Sequence, residues 1–409
     1  MFSREYPPVI VGGTSTVARN LATGLAANRW QVTVISADPH GDTDRTECLD
    51  GVTIVRVATT VVYNEDTSLS DASIRVHRGL YRAALSLAGQ DGPPDAVAIP
   101  DLFCCPEASL LARQYRVPLV NILLQDFRTL TAYDRDQHRV TSGVNATAGD
   151  LFELEEKALR SSDHTVFISR ALADAIGSYY PRLPRASSVI HLGVDTREIA
   201  SIAGAAAEAD QLRRSLPSAC RRLVVACGRL VPVKGFDPLL RAVAAVDRPG
   251  LHLVIIGVGP EASHLARLAD QLGLTAKVTF TGPTSRRTAL TWMSIADVGV
   301  VPSLWESFCY VCAEMMAFGR PVVASTVDSL SELMPTEEFG YRVPAAGPPT
   351  SRVIDPGLLA GALQQALADP AAATRRGAAA RERILTEFSN ARFTASMSAL
   401  LGTLTGSTP

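Results

Sequence analysis

Twice along the chain, short runs of β-branched and aliphatic residues alternate with longer alanine- and leucine-rich stretches, and this pattern restricts the fold more than any other feature. In the first half the runs fall at residues 31–36, 52–57, 96–99, 117–124 and 165–169. In the second half they fall at 223–226, 251–256, 278–280, 298–301 and 321–324. They are apolar on both faces, as parallel strands are when helices cover the sheet on both sides. The stretches between them, such as 16–28, 238–246 and 261–272, have the length and composition of helices. The expected fold is α/β, with two doubly wound, Rossmann-like domains facing a central cleft and ligands at the carboxyl ends of the strands. A strand at 188–190 followed by His191-Leu192-Gly193-Val194-Asp195 marks the joint. The expected domains are 1–193 and 194–388, with 389–409 a helix and tail packing back across the joint.

One irregularity stands at the start. A doubly wound domain should open with a strand ahead of Tyr6-Pro7-Pro8, where only Met1-Phe2-Ser3 stand. Either the sheet begins with a stub or the start codon is placed a few residues late. The second reading is preferred, so the first strand is expected to be truncated.

Composition narrows the function classes. The chain has 409 residues, enough for two full cores. Its formal charge is −2 with no basic block, which argues against nucleic acid as a partner, because neutralising phosphates takes clustered Lys and Arg. No apolar stretch approaches the roughly 20 residues that span a bilayer, and the first eight residues lack the apolar region of a signal peptide. Residues 75–87, with Arg75, His77, Arg78 and Arg82, are better explained as a helix covering the sheet than as a membrane-surface helix, so stable membrane association is not expected. Seven irregularly spaced cysteines suggest reduced thiols and a cytoplasmic location.

The most informative segment runs from Trp305 to Gly319. Between Phe308 and Phe318 it is apolar on every side except at Glu314. A helix that is hydrophobic all round is buried, so its lone carboxylate must find hydrogen-bond donors or lose its charge. Those donors are either a structural Lys and backbone amides, or the hydroxyls of a ligand. Glu306 stands at the mouth of this helix, where the free amides of Ser307, Phe308, Cys309 and Tyr310 and the helix dipole favour an anion. Upstream, Gly228-Arg229-Leu230-Val231-Pro232-Val233-Lys234-Gly235 lies between a strand and a helix, with two cations suited to clamping a diphosphate. Gly257-Val258-Gly259 is a second glycine turn after a strand, and it is not a dinucleotide fingerprint because it lacks the third glycine.

Taken in order, these residues resemble the family 4 glycosyltransferases, a retaining group with the GT-B fold. The resemblance spans most of the chain: Gly12-Gly13, the region from Glu155 to Ser169, Gly193-Val194-Asp195, Gly228-Arg229 with Lys234-Gly235, Gly257 to Pro260, Phe280-Thr281-Gly282, and Glu306 with Glu314. It implies that residues 1–193 form an acceptor-side domain and 194–388 a nucleotide-sugar donor domain. Arg229 and Lys234 would bind the donor diphosphate, Glu306 the transferred sugar and Glu314 the ribose hydroxyls. Gly13, Gly228 and Gly259 would keep backbone close to the donor. No cofactor or divalent metal is implied, and the nucleotide sugar, a UDP-sugar by family prevalence, is a substrate.

The N-terminal domain departs from the family pattern. Many relatives carry a His after the strand matching 117–124, where this chain has Gln125-Asp126, and the usual His-Asp after the preceding strand reads Pro100-Asp101. Gln125 can still donate and accept. Asp101, Gln125 and Asp126 are therefore the acceptor-side candidates, suited to a small polar acceptor such as a natural-product aminocyclitol, unless the aspartates only stabilise turns. Asp134-Arg135-Asp136 spells a metal-binding pair of another glycosyltransferase fold but lies in a polar loop, and Cys309-x-x-Cys312 lacks a second ligand pair. The alternatives to sugar transfer are a catalytically silent sugar-nucleotide-binding subunit and a nucleotide-sugar epimerase.

Overall fold

A computed structural model describes residues 1–8, 13–59, 69–133, 147–246 and 248–407, the side chains of 69–75 excepted. The chain divides into two compact units, Met1–Leu192 with Asn390–Pro409, and Gly193–Ser389. Each has a parallel sheet flanked by helices, so the chain is α/β with two Rossmann-like domains.

In the first unit, α1 (Gly13–Ala27) leads to β1 (Val32–Asp38), β2 (Arg45–Leu49) and β3 (Val52–Ala58). Helix α2 (Leu69–Asp91), β4 (Val97–Ile99), α3 (Cys105–Tyr115) and β5 (Leu119–Leu123) follow. Next come α4 (Phe127–Ala132), α5 (Ala148–Ser161), β6 (His164–Phe167), α6 (Arg170–Tyr179) and β7 (Ser187–Val189). The strands form two ladders, β1-β3-β2 and β4-β5-β6-β7. Residues Met1 to Ser3 run between them: the Phe2 amide bonds to Ala98 O at 3.1 Å, the Ser3 amide to Ile35 O at 3.1 Å, and the Ile35 amide to Met1 O at 2.9 Å. These three residues stand where a first strand would, paired with both ladders. The antiparallel edge strand β2 is exposed and polar, so it carries none of the apolar signal that marks the buried strands.

Helix α2 packs on β1, β3 and α3, as a sheet-covering helix should. The C-terminal helix Asn390–Thr405 belongs to this unit and lies against α1, burying Phe393, Met397 and Leu401. Gly24 permits the approach, since a Cβ there would overlap the Thr394 side chain. The Trp30 indole N–H donates to Ser398 Oγ at 2.8 Å.

The second unit opens with α7 (Thr196–Ala203) and α8 (Ala206–Ser215), then β8 (Arg222–Cys227), α9 (Phe236–Ala245), β9 (Leu251–Ile256), α10 (Ala262–Gln271) and β10 (Val278–Phe280). It continues with α11 (Arg286–Ile295), β11 (Val298–Val301), α12 (Tyr310–Ala317), β12 (Val322–Ser325), α13 (Asp328–Leu333) and β13 (Tyr341–Val343). A small hairpin, Ala345–Ala346 with Val353–Ile354, precedes α14 (Pro356–Ala368) and α15 (Pro370–Glu387). The main sheet is parallel in the order β10-β9-β8-β11-β12-β13. Its connections reverse direction between β8 and β11, and the crevice at such a switch point is where α/β sheets hold ligands. The residues following these two strands are the glycine loop from Gly228 and the segment leading to Glu306.

Among the described residues, no helix is long and apolar enough to cross a membrane. All seven cysteines are free.

Candidate active site

After β8 the chain turns through a short 3-10 helix, Pro232–Lys234, and then through Gly235 in the left-handed conformation (φ +69°) into α9. This geometry presents Lys234 to the residues that follow β11. Lys234 Nζ lies 2.6 Å from Glu306 Oε1, which also accepts from Ser303 Oγ at 2.8 Å. Burial alone would lower the Lys234 pKa, but the Glu306 carboxylate outweighs it and the pKa is raised, so the amine stays cationic. The Glu306 backbone is pinned separately. Its carbonyl accepts from Ser329 Oγ at 3.0 Å, and its amide donates to Asp328 Oδ2 at 3.4 Å. Asp328, itself left-handed at φ +39°, is paired with Arg352 at 2.6 Å.

Helix α12 begins one residue beyond Cys309, which is left-handed at φ +72°. A β-carbon is unfavourable there, and such outliers cluster at sites where the surrounding structure over-determines the backbone. Phe308 is buried and packs edge-on against Tyr310, with ring centroids 5.1 Å apart. Neither ring is a free sugar platform, and the contribution of this turn to an anion site is its backbone amides. Ser307 is half-buried. Burial pushes the Cys309 and Cys312 thiols well up, which makes them packing groups rather than a reactive pair.

Glu314 is 2% exposed on this helix. Desolvation raises its pKa, and Arg286 opposes the rise. Arg286 Nη2 donates to Glu314 Oε1 at 2.8 Å and to Glu198 Oε2 at 2.8 Å. The lone carboxylate therefore does have a protein partner, an Arg rather than a Lys. That Glu314 needed a donor was legible in the sequence; that Arg286 supplies it was not.

Other expected residues fall as follows. Arg229 is exposed immediately after Gly228. Gly259 packs against backbone, since a Cβ would overlap the Leu230 carbonyl oxygen, and the Leu230 amide bonds to Val258 O at 2.8 Å. Its role is to seat one loop on the other. In the first unit Gly13 is the exposed first residue of α1, with nothing near its Cβ position. Asp101 caps a 3-10 turn through the Phe103 amide at 3.2 Å and pairs with Arg4 Nε at 3.0 Å. Asp126 is fully buried and caps α4, accepting from the Arg128 amide at 2.8 Å, the Thr129 amide at 3.2 Å and the Thr129 hydroxyl. Both aspartates carry the turn-stabilising bonds weighed as the alternative to acceptor contact. Gln125 is half-buried. Asp134-Arg135-Asp136 lies outside the described residues.

Sequence reading also missed Glu155 as a titrating group. It is fully buried on α5 and accepts from the Phe127 amide at 3.1 Å. Burial pushes its pKa up to about 7, against an ordinary 4.5. The folded state then holds a proton that the unfolded state releases, so stability falls as pH rises through this window, by about 3 kcal/mol in all. Glu155→Gln keeps the acceptor and removes the titration. Urea denaturation at pH 5 and pH 8 should show a smaller loss for the variant than for the natural chain, and equal losses would reject the assignment.

Lys234 paired with Glu306 beside a helix start, at the switch point of a Rossmann sheet, is an arrangement suited to an anionic, hydroxyl-rich ligand. Known proteins of this kind match over nearly the whole chain. The family described as Glycosyl transferases group 1 matches residues 209–383, and Glycosyltransferase Family 4 matches residues 11–198. A glycogen synthase of Mycobacterium tuberculosis is 30% identical over 404 residues, covering 95% of this chain and 90% of its own. The structure of sucrose-phosphate synthase from Thermosynechococcus elongatus aligns with TM-score 0.78 and 23% identity over 99% of this chain and 98% of its own. Anabaena HepE, in complex with UDP and glucose, aligns with TM-score 0.74 and 17% identity over 98% of each chain. The chain belongs to the family 4 glycosyltransferases and has the GT-B fold. It is a glycosyltransferase.

Proposed function

We propose that this enzyme transfers a sugar from a UDP-sugar to a small polar acceptor, with retention of configuration and without a divalent metal. The observation that carries the proposal is the Lys234–Glu306–Ser303 cluster beside the start of α12. Bond cleavage at the donor places negative charge on the leaving diphosphate. Lys234 and Arg229, with the amides from Ser307 to Tyr310, meet that charge with fixed donors, and stabilisation of this kind is the largest single contribution in many enzymes. The same cations make a metal unnecessary for charge neutralisation. Glu306 is assigned to hydroxyls of the transferred sugar and Glu314 to those of the ribose. The departing diphosphate is assigned to remove the acceptor proton on the face it leaves. UDP is placed first because the similar HepE is known with UDP and glucose.

Asp101 and Asp126 are already engaged in capping, so we assign acceptor recognition first to Gln125, which can both donate and accept. A natural-product aminocyclitol or related glycoside is the favoured acceptor class. Seven free thiols support a reducing, cytoplasmic setting.

The test is release of UDP from UDP-sugars with and without EDTA, first with water alone and then with a panel of polyhydroxylated acceptors, the product anomer being read by NMR. Retention at an undiminished rate in EDTA is expected. An inverted product or abolition by EDTA rejects the mechanism. Tight nucleotide binding with no turnover of any donor makes the chain a silent subunit instead.

A further inference from the structure

We infer that Arg286, held by Glu198, is the positioning residue that keeps Glu314 an ionised, fixed acceptor for the nucleotide. The inference rests on the assignment of Glu314 to the donor site above. Its own basis is the geometry of three side chains from three helices of the second unit. Arg286 is the first residue of α11, and Arg287 follows it. Cations are disfavoured at a helix N-terminus, where the dipole is positive. Two arginines there need compensation. Arg287 pairs with Glu208 at 2.7 Å, but both side chains are about half exposed and such pairs contribute little. Arg286 is different. It bridges Glu198 on α7, through contacts of 3.0, 3.1 and 2.8 Å, and the buried Glu314 on α12.

Among the described residues the Arg286 bond is the only hydrogen bond made by the Glu314 side chain. A carboxylate accepts from two neighbouring ribose hydroxyls, whereas its protonated form must use one oxygen as a donor. Burial favours the protonated form, and Arg286 is the opposing charge. The other charged or titratable groups facing α12 do not replace it. Glu198 pushes the Glu314 pKa further up, and the Cys227 thiol on β8 is itself held protonated, at about 12, by burial and then by the Glu314 charge. Asp328 on α13 is taken by Arg352, and Arg381 on α15 donates to the Ala317 carbonyl. Strands β11 and β12 present no ionisable group. Arg286 is therefore what sets the charge of Glu314, and Glu198 sets the direction of Arg286.

The opposite signs of the two neighbours give a discriminating experiment. UDP affinity is measured by calorimetry from pH 6.5 to 9.5 for the natural chain, Arg286→Met, Glu198→Gln and Glu314→Gln. Loss of Arg286 should move the fall in affinity to higher pH, with binding at pH 6.5 at least tenfold weaker relative to pH 9.5 than in the natural chain. Glu198→Gln keeps an oxygen that accepts from Arg286 and removes only the charge that raises the Glu314 pKa, so it should move the fall to lower pH. Glu314→Gln should bind more weakly at every pH without this dependence. If Glu314→Gln weakens binding but Arg286→Met shows the natural profile, the inference falls while the donor-site assignment stands. If Glu314→Gln binds as the natural chain does, both fall. Should Arg286→Met prove unfolded by circular dichroism, Glu198→Gln decides alone, since an unchanged profile or a shift to higher pH overturns the inference.

Discussion

Lys234→Ala is expected to lower kcat/KM roughly a hundred- to a thousandfold, the usual consequence of removing one preorganised donor to a leaving group. It is also expected to cost stability. Viewed as a cation turned toward a ligand, Lys234 contributes little to packing. The 2.6 Å contact with Glu306 changes that, because the variant leaves a nearly buried carboxylate with Ser303 as its remaining side-chain donor. Breaking a fully buried pair costs about 3–5 kcal/mol, and the partial exposure of Lys234 reduces this to about 1–3 kcal/mol. The two losses separate in a double variant. Lys234→Ala with Glu306→Gln removes the orphaned charge, so the urea midpoint should return most of the way while activity stays low. Recovery of turnover along with stability would mean that Lys234 acts only by holding the fold together. Full activity in the single variant would remove it from the reaction altogether.

This pair also shows how far the sequence could be read. The buried parallel strands were legible because both faces are apolar, and β9 and β11 occupy the residues the pattern indicates. Strand β2 and the hairpin before α14 were not, because exposed or very short strands have no such pattern. At the site, Lys234, Glu306 and Glu314 stood out as charged residues in a glycine loop or in an apolar run. Glu198 and Arg286 did not. They are 88 residues apart, each looks like an ordinary helix-surface charge, and only the packing of α7, α11 and α12 brings them to Glu314. Asp101 and Asp126 illustrate the converse. An aspartate after a strand reads the same whether it faces a ligand or caps the next turn, and the hydrogen bonds that distinguish the two are invisible in sequence.

Gly235→Ala should be among the most damaging substitutions of comparable size in the second unit. The residue sits at φ +69°, where a β-carbon costs about 1–2 kcal/mol by itself. The added methyl would also overlap the Pro302 carbonyl oxygen and stand 2.9 Å from the carbonyl carbon, and neither is a flexible side-chain end. Relief requires the β8 loop to move away from the segment after β11. That segment is tied to the loop by the Leu304 amide to Val233 O, at 2.7 Å, and by Lys234 to Glu306. Backbone shifts in a packed core cost a further 1–3 kcal/mol or so, which brings the expected loss to about 2–5 kcal/mol. Gly273 supplies the control, because it has the same φ of +69° and nothing within 4 Å of its Cβ position. Gly273→Ala should therefore lose the conformational part alone, about 1–2 kcal/mol, and keep its activity. The difference between the two urea midpoints isolates the contact with Pro302, and Gly235→Ala should also lose turnover, since Lys234 moves with the loop. Equal midpoints would mean that the β8 loop is not pressed against the β11 segment, and that Lys234 and Glu306 are not held together by the backbone that carries them.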